Sequence, residues 1–524
     1  MPTKINEPRH GASIKTGIVM SLVAVFVSLV VSLLYPPYCL SVVGETKDGI
    51  YQYAASIILF MTLLSFGVEN SYVRFASRAE KEGPDAIRKL NTLYLFVFGA
   101  IGLAEIIGTL IVYSLFKAGV VVTGYDPVEH ELMTNYVLIL GLSQGVGFVL
   151  SLFSWHLFFK THFIVYQGAH ILTKILSASI GAIALAVGGD AIWVGIAALA
   201  ANILSGILCL IASFFHHEMR FERLSWSEAK PILKEILSFS IFVFLSMVVS
   251  ELNAGFGRWA IGAFGEVEDC TLIGYGIEFY VYESLFVLAV SRVFIPSINE
   301  GIASGDETKA KELYKKCAFV SAILVFLIAG GFTAAGRQFV YTWLDHTPLD
   351  SWAKDTVYYL GCGYLWCFAL PLTSNAAMEI ARAENKHHLI AVIDLAICLV
   401  GALVSAILVI YLPADLKVYG PLMGLGSASF IAFGIVNNII YGVHLKLPLG
   451  QHLVKCVLLV AYAVIAIAVV YVINTYAIPK NAVPYVGMFF INAAIFVVIY
   501  GGITFASYHR SIRSLLSFKK DKGV

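Results

Sequence analysis

An all-α integral membrane fold of about fourteen transmembrane helices is the prediction, and three observations carry it. Hydrophobic residues fill 59% of the 524 positions and charged ones only 13%, too little polar surface to keep a soluble core of that size dissolved. About fourteen apolar stretches follow one another with short polar breaks, each near the roughly 20 residues that cross about 30 Å of hydrocarbon. The alternation of every second residue that marks a membrane β-barrel is absent.

In order, the first half offers residues 15–34, 49–66, 90–115, 132–153, 168–187 and 191–215. The second offers 236–264, 272–295, 317–335, 356–378, 389–412 and 419–443, and residues 453–476 and 484–507 close the chain. Each reads as a helix because a lone strand leaves its backbone groups unpaired in lipid. The first stretch is too long for the apolar core of a signal peptide, so it is expected to stay as an anchor.

Orientation follows from Lys and Arg, which cytoplasmic loops retain. With the N-terminus inside, that side collects Lys4, Arg9, Lys15, the groups within 74–89, 220–234 and 309–316, and the tail from Arg510 to Lys522. With the bases of the remaining inner loops and inner helix ends added, that side holds about 28 of the 35 basic residues. Lys47, Lys117, Arg337, Lys354, Lys417 and Lys480 fall outside. Both termini are therefore expected in the cytoplasm. The formal net charge of +1 hides this asymmetry and gives no sign of a nucleic-acid partner. The eight cysteines show no metal-ligand spacing and read as small packing residues; Cys39 and Cys270, both near the outer face, are the pair for which a disulfide is conceivable.

The loop after span two turns at Gly83 and the loop after span eight at Gly305, each ahead of a basic amphipathic stretch. Gly49-Ile-Tyr51 and Gly274-Tyr275-Gly276 open the two spans themselves. This placement suggests six spans duplicated into twelve. Residues 1–215 form one six-helix bundle, 216–235 a cytoplasmic linker and 236–445 a second bundle. Residues 446–524 add two helices and a basic tail. Repeats that both begin inside are related by a pseudo-two-fold axis along the membrane normal and enclose a cavity.

Leu64-Ser-Phe-Gly67 leads into Tyr72-Val-Arg74-Phe75 after the Gly-x-Tyr of span two. Leu237-Ser-Phe-Ser240, Arg258, Gly274-Tyr275 and Pro296-Ser297 follow the same pattern in the second half. Ile241 replaces a common proline, and Gly257 an acidic residue that often precedes the arginine. With these departures, the chain resembles the polysaccharide transporters of the O-antigen flippase type. Their superfamily also holds multidrug and toxin extruders and lipid II flippases. The resemblance implies a flippase in the bacterial inner membrane that moves undecaprenyl-pyrophosphate-linked oligosaccharide repeat units to the outer leaflet by alternating access. It implies membrane lipids and polysaccharide-assembly proteins as partners. Two alternatives stand beside it: a cation-coupled multidrug extruder, and a membrane-embedded enzyme of polysaccharide assembly.

A charge at membrane depth costs at least about 2.5 kcal/mol and needs a partner, a wet cavity or a route to the interface. Arg258, near the outer end of span seven, and Glu278, near the outer start of span eight, lie at similar depth. They read equally as a helix-locking ion pair or as part of an anionic-substrate site. Glu251 lies seven residues before Arg258, hence on the same face of an unbroken helix, with Asn253 close by. That stripe is a substrate contact or a helix–helix hydrogen-bonding seam. Lys174 in span five lines the cavity or snorkels inward. These five are the substrate-binding candidates. Glu105, with no basic residue close in sequence, and Glu283, rotated by about 140° from Glu278, are the ion-coupling candidates. A structural glutamate that keeps its proton is the plainer reading of both. Asp394 and Arg292 are expected at the interface.

Enzyme signals are poor. No Walker motif, zinc-ligand His pair or Gly-x-Ser-x-Gly occurs, and His216–His217 and His387–His388 are adjacent residues with poor ligand spacing. No cofactor, metal or catalytic residue is expected, and transport would run on an ion gradient or the substrate's own gradient.

Overall fold

The computed structural model describes residues 10–120, 125–215, 219–384, 386–476 and 483–517. Lys4, Arg9, His216, His217, Lys480 and the tail from Lys519 onward lie outside the described residues, as do the side chains of Arg292 and His387. Every regular element among the described residues is a helix. Two compact units divide the chain, Met1–Ala263 and Phe264–Val524.

The first unit runs through α1 (His10–Val43), α2 (Glu45–Met61), α3 (Glu69–Glu82), α4 (Pro84–Lys117), α5 (Pro127–Phe159), α6 (Phe163–Ala186), α7 (Ile192–Phe215), α8 (Trp226–Glu251) and α9 (Gly257–Phe264). The second holds α10 (Glu268–Ala303), α11 (Glu307–Trp343), α12 (Ser351–Thr373), α13 (Asn375–Ala383) and α14 (His387–Tyr411). It continues through the short α15 (Ala414–Lys417) and α16 (Ser427–Ser429) to α17 (Asn437–His444), α18 (Leu449–Tyr476) and α19 (Tyr485–Ser517).

Among the described residues, eleven helices are long and apolar enough to cross a bilayer, or twelve with α8–α9, which bends by 50° between Ser238 and Val243. Two of the fourteen expected spans fall short for identifiable reasons. The helix α2 ends after 17 residues, where the chain tightens into a 3-10 turn over Thr62–Ser65 before entering the left-handed region at Phe66 (φ 50°) and Gly67 (φ 68°). The helix α12 carries Tyr358, Tyr359, Tyr364 and Trp366, which lower its hydropathy.

Local sequence starts these helices. Asp126 accepts from the backbone N–H groups of Val128 and Glu129, both at 2.8 Å, and the Asp126 N–H donates back to Glu129, a capping box ahead of α5. The Ser225 N–H donates to the Glu228 carboxylate at 3.0 Å at the start of α8.

Small residues then set the packing. Gly141-Leu-Ser-Gln-Gly145 on α5 faces α4. A Cβ on Gly145 would stand 2.9 Å from the Gly102 carbonyl oxygen and 2.6 Å from Ile106, so only glycine lets the backbones approach this closely. Beside this contact Tyr72, Tyr94, Phe98 and Phe148 fill a buried cluster, with the Phe98 and Phe148 rings stacked 4.9 Å apart. Gly145→Val should force α4 off α5. The overpacking costs about 1–3 kcal/mol, and the expected result is a clear loss of monodisperse protein on size-exclusion chromatography.

In the second unit α10, α12, α18 and α19 all pack on α11. Phe496 of α19 fills the space left by Gly330, where a Cβ would come within 2.7 Å of its ring. The eight cysteines are free thiols, and Cys39 and Cys270 are both buried.

Candidate functional site

The Leu64-Ser-Phe-Gly67 segment folds into a tight turn after α2. A residue with a side chain is strained at Gly67, where φ is +68° and a Cβ would meet Val243 at 2.6 Å. Phe66 packs on Phe244 of the same helix α8, the rings 4.9 Å apart. The Gly67 N–H donates to Ser65 Oγ at 3.2 Å. This turn delivers Glu69 to the first turn of α3 with Ser65 beside its carboxyl.

Between α8 and α9 the helix widens into a π turn, Leu252–Phe256. Such a turn inserts one residue and shifts the helical register by about 100°. The common face expected for Glu251 and Arg258 is thereby broken, and their surroundings differ. Arg258 Nη1 donates to Gln52 Oε1 of α2 at 2.8 Å, and Nη2 to the Ala254 carbonyl at 2.9 Å, inside the widened turn. Asn253 Nδ2 donates to the Val249 carbonyl at 2.9 Å. The approach of α2 rests on two glycines: Gly255, whose Cβ would stand 2.8 Å from Leu59, and Gly262, which lies under the Tyr53 ring.

Glu251 instead neighbours Thr62 and Glu69. Glu69 also neighbours Glu105, which is fully buried on α4 with neither carboxyl oxygen hydrogen-bonded at close range and the Gln144 amide alongside. Three carboxyl groups from α3, α4 and α8 thus share one region of the first unit. No group of three His, Cys, Asp or Glu side chains among the described residues is close enough to hold a metal ion, the trio included. Lys174 is exposed midway along α6, one turn from His170, and no partner among the described residues joins it to this seam.

In the second unit Glu283 is fully buried on α10, with neither oxygen hydrogen-bonded among the described residues and Tyr280 beside it. Glu278, five residues earlier, is half-buried. Asp394, expected at the interface, is 4% exposed within the protein, and Asn437 at the start of α17 donates to its Oδ2 at 3.1 Å. Ser374 and Asn438 add a buried hydrogen bond of 2.7 Å in the same unit.

A family model described as polysaccharide biosynthesis protein matches residues 14–300, more than half of the 524-residue chain. The chain belongs to the polysaccharide biosynthesis protein family. The fold is similar to that of the lipid II flippase MurJ in an inward closed conformation, with a TM-score of 0.71 at 17% identity, covering 94% of this chain and 100% of that one. It is similar also to an inward-facing MATE multidrug resistance transporter of the MOP superfamily, with a TM-score of 0.65 at 13% identity over 83% of this chain and 99% of that one. A MOP superfamily transporter from Pyrococcus furiosus gives 0.59 at 14% identity over 82% and 96%. No curated protein matches the chain.

The match of this polysaccharide biosynthesis family member takes in the whole seam, from Gln52 and the Leu64–Gly67 turn to Arg258. Sequence reasoning missed three of its residues. Glu69 is hidden because a second span running straight to Phe66 puts it in a loop; a carboxylate two residues after Gly67 is the signal available. Gln52 and Gln144 carry no charge, so a search for ionisable groups passes over them.

Proposed function

We propose that the chain is a flippase that moves undecaprenyl-pyrophosphate-linked oligosaccharide repeat units across a bacterial inner membrane by alternating access. Family membership and the likeness to a lipid II flippase support the class. The observation that carries the substrate is the guanidinium of Arg258, held inside a membrane-length helix by Gln52 and the Ala254 carbonyl. A planar fork with a permanent charge suits two phosphate oxygens, whereas an organic cation would be repelled by it. Asn253, Glu251, Glu278 and Lys174 remain candidates for substrate contacts and Glu105 and Glu283 for ion coupling, a role we extend to Glu251 because it neighbours Glu69.

We read α2 and α12 as spans as well, which makes fourteen, with residues 1–215 and 236–445 as six-span repeats and both termini cytoplasmic. Superposing the helices of one repeat on the other in chain order tests the duplication. Polysaccharide-assembly proteins are the expected partners.

Reconstituting the protein into vesicles with labelled lipid-linked saccharide in one leaflet tests the function. We expect label to reach the opposite leaflet without chemical change. No transfer, beside an active control flippase, would end this reading.

The carboxyl trio of Glu69, Glu105 and Glu251 favours a second reading, a cation-coupled extruder of organic cations. Drug accumulation in cells with and without the protein separates the two.

A further inference from the structure

A cavity of about 470 Å³ opens at the end of the first unit where α3 meets α4 and α5 meets α6. Arg88, Lys160 and Arg220 line it, with Glu80 the one carboxylate and Asn91 the buried amide in its wall. Lys160 Nζ pairs with Glu80 at 2.7 Å and Arg88 Nη1 reaches the exposed Asp85 at 3.2 Å. Arg220 has no ionic partner among the described residues, so the lining carries a surplus of positive charge.

The position of Arg220 is built rather than incidental. Asn91 Nδ2 donates to the Arg220 carbonyl at 3.2 Å. Two residues on, the Glu222 N–H donates to Thr92 Oγ1 at 3.0 Å, and Thr92 Oγ1 donates to the Glu222 carbonyl at 2.7 Å. The segment after α7 is thus stitched to the first turns of α4.

Asn91 is itself fixed from within. Its Oδ1 accepts from the Tyr72 hydroxyl at 2.8 Å, and the Tyr72 oxygen lies 2.8 Å from His156 Nδ1. Because Tyr72 gives its proton to Asn91, His156 must donate from Nδ1. A buried chain of side chains therefore sets the geometry of a charged cavity that none of the seam residues enters.

We propose that this cavity is a binding site for a phosphate-bearing headgroup at the membrane surface. Two guanidinium forks and an ammonium offer charge and bidentate geometry to phosphate oxygens. The volume admits a phosphodiester with its glycerol or sugar substituent, and basic pockets between membrane helices take such headgroups. The site stands on its own geometry, independent of the flippase reading.

The test uses full-length purified protein and reads its thermal unfolding against ligand concentration. One arm titrates dihexanoyl phosphatidylglycerol and the other inorganic pyrophosphate. Saturable stabilisation by either, weakened at least tenfold in the Arg88→Gln/Arg220→Gln variant and unchanged in Arg337→Gln, supports the site. Tighter binding of the lipid identifies a membrane headgroup as its source, and tighter binding of pyrophosphate a free anion. If the double variant does not fold, single Arg220→Gln should weaken binding and Arg220→Lys should restore most of it. Absence of saturable binding, or equal weakening by Arg337→Gln, would overturn the proposal.

Discussion

Arg258→Ala should abolish transport, by at least about 100-fold, while the amount of folded protein stays near normal. The loss corresponds to roughly 3 kcal/mol, the scale of two charge-assisted hydrogen bonds to a phosphate group. Arg258→Lys should recover part of the rate, since lysine keeps the charge and loses the fork. Gln52→Leu should cost less than Arg258→Ala, because Gln52 Oε1 orients one arm of the guanidinium without carrying charge. Leaflet transfer and protein abundance, measured together, check all three. A structural pairing with Glu278 gives a different pattern. Arg258→Ala would then lower abundance by leaving a carboxylate alone in lipid, and Glu278→Gln would restore it. Full transport by Arg258→Ala removes the residue from the site.

Glu105→Gln should leave abundance unchanged and lower gradient-driven transport at least tenfold. The carboxyl is fully buried with neither oxygen hydrogen-bonded at close range, so the amide keeps its shape and breaks little that holds the fold. Under the ion-coupling proposal, what it removes is the carboxyl beside Glu69 that would exchange a proton or cation. Glu69→Gln should act in the same direction. The double variant should be no worse than either single one, as for groups that act as a unit. Rates under an imposed ion gradient, compared with rates at equilibrium, supply the readout. Unchanged gradient dependence in both single variants would make the trio structural.

Much of the helical layout was legible in the sequence, and the site only in part. Arg258, Glu251 and Glu105 stood out because charge in an apolar stretch is visible without knowing any contact. Their grouping was not. The seven-residue spacing of Glu251 and Arg258 promised one shared face, yet the π turn at Leu252–Phe256 separates them. The hydrogen bond from Asn437 to Asp394, 43 residues away in the chain, is likewise invisible in the sequence. Lys174 also lies in an apolar stretch, yet it ends on an exposed face.

What the sequence by itself determined is the succession of helices apolar enough to cross a bilayer and the family, because apolar length and local motif are properties of neighbouring residues. Only the tertiary structure decided which side chains meet. The Arg258–Gln52 bond joins residues 206 positions apart, and the union of Glu69 with Glu105 and Glu251 depends on a left-handed turn and on glycines that let helices touch. Those contacts are set by which helix faces pack, a choice made between distant segments that no local pattern records.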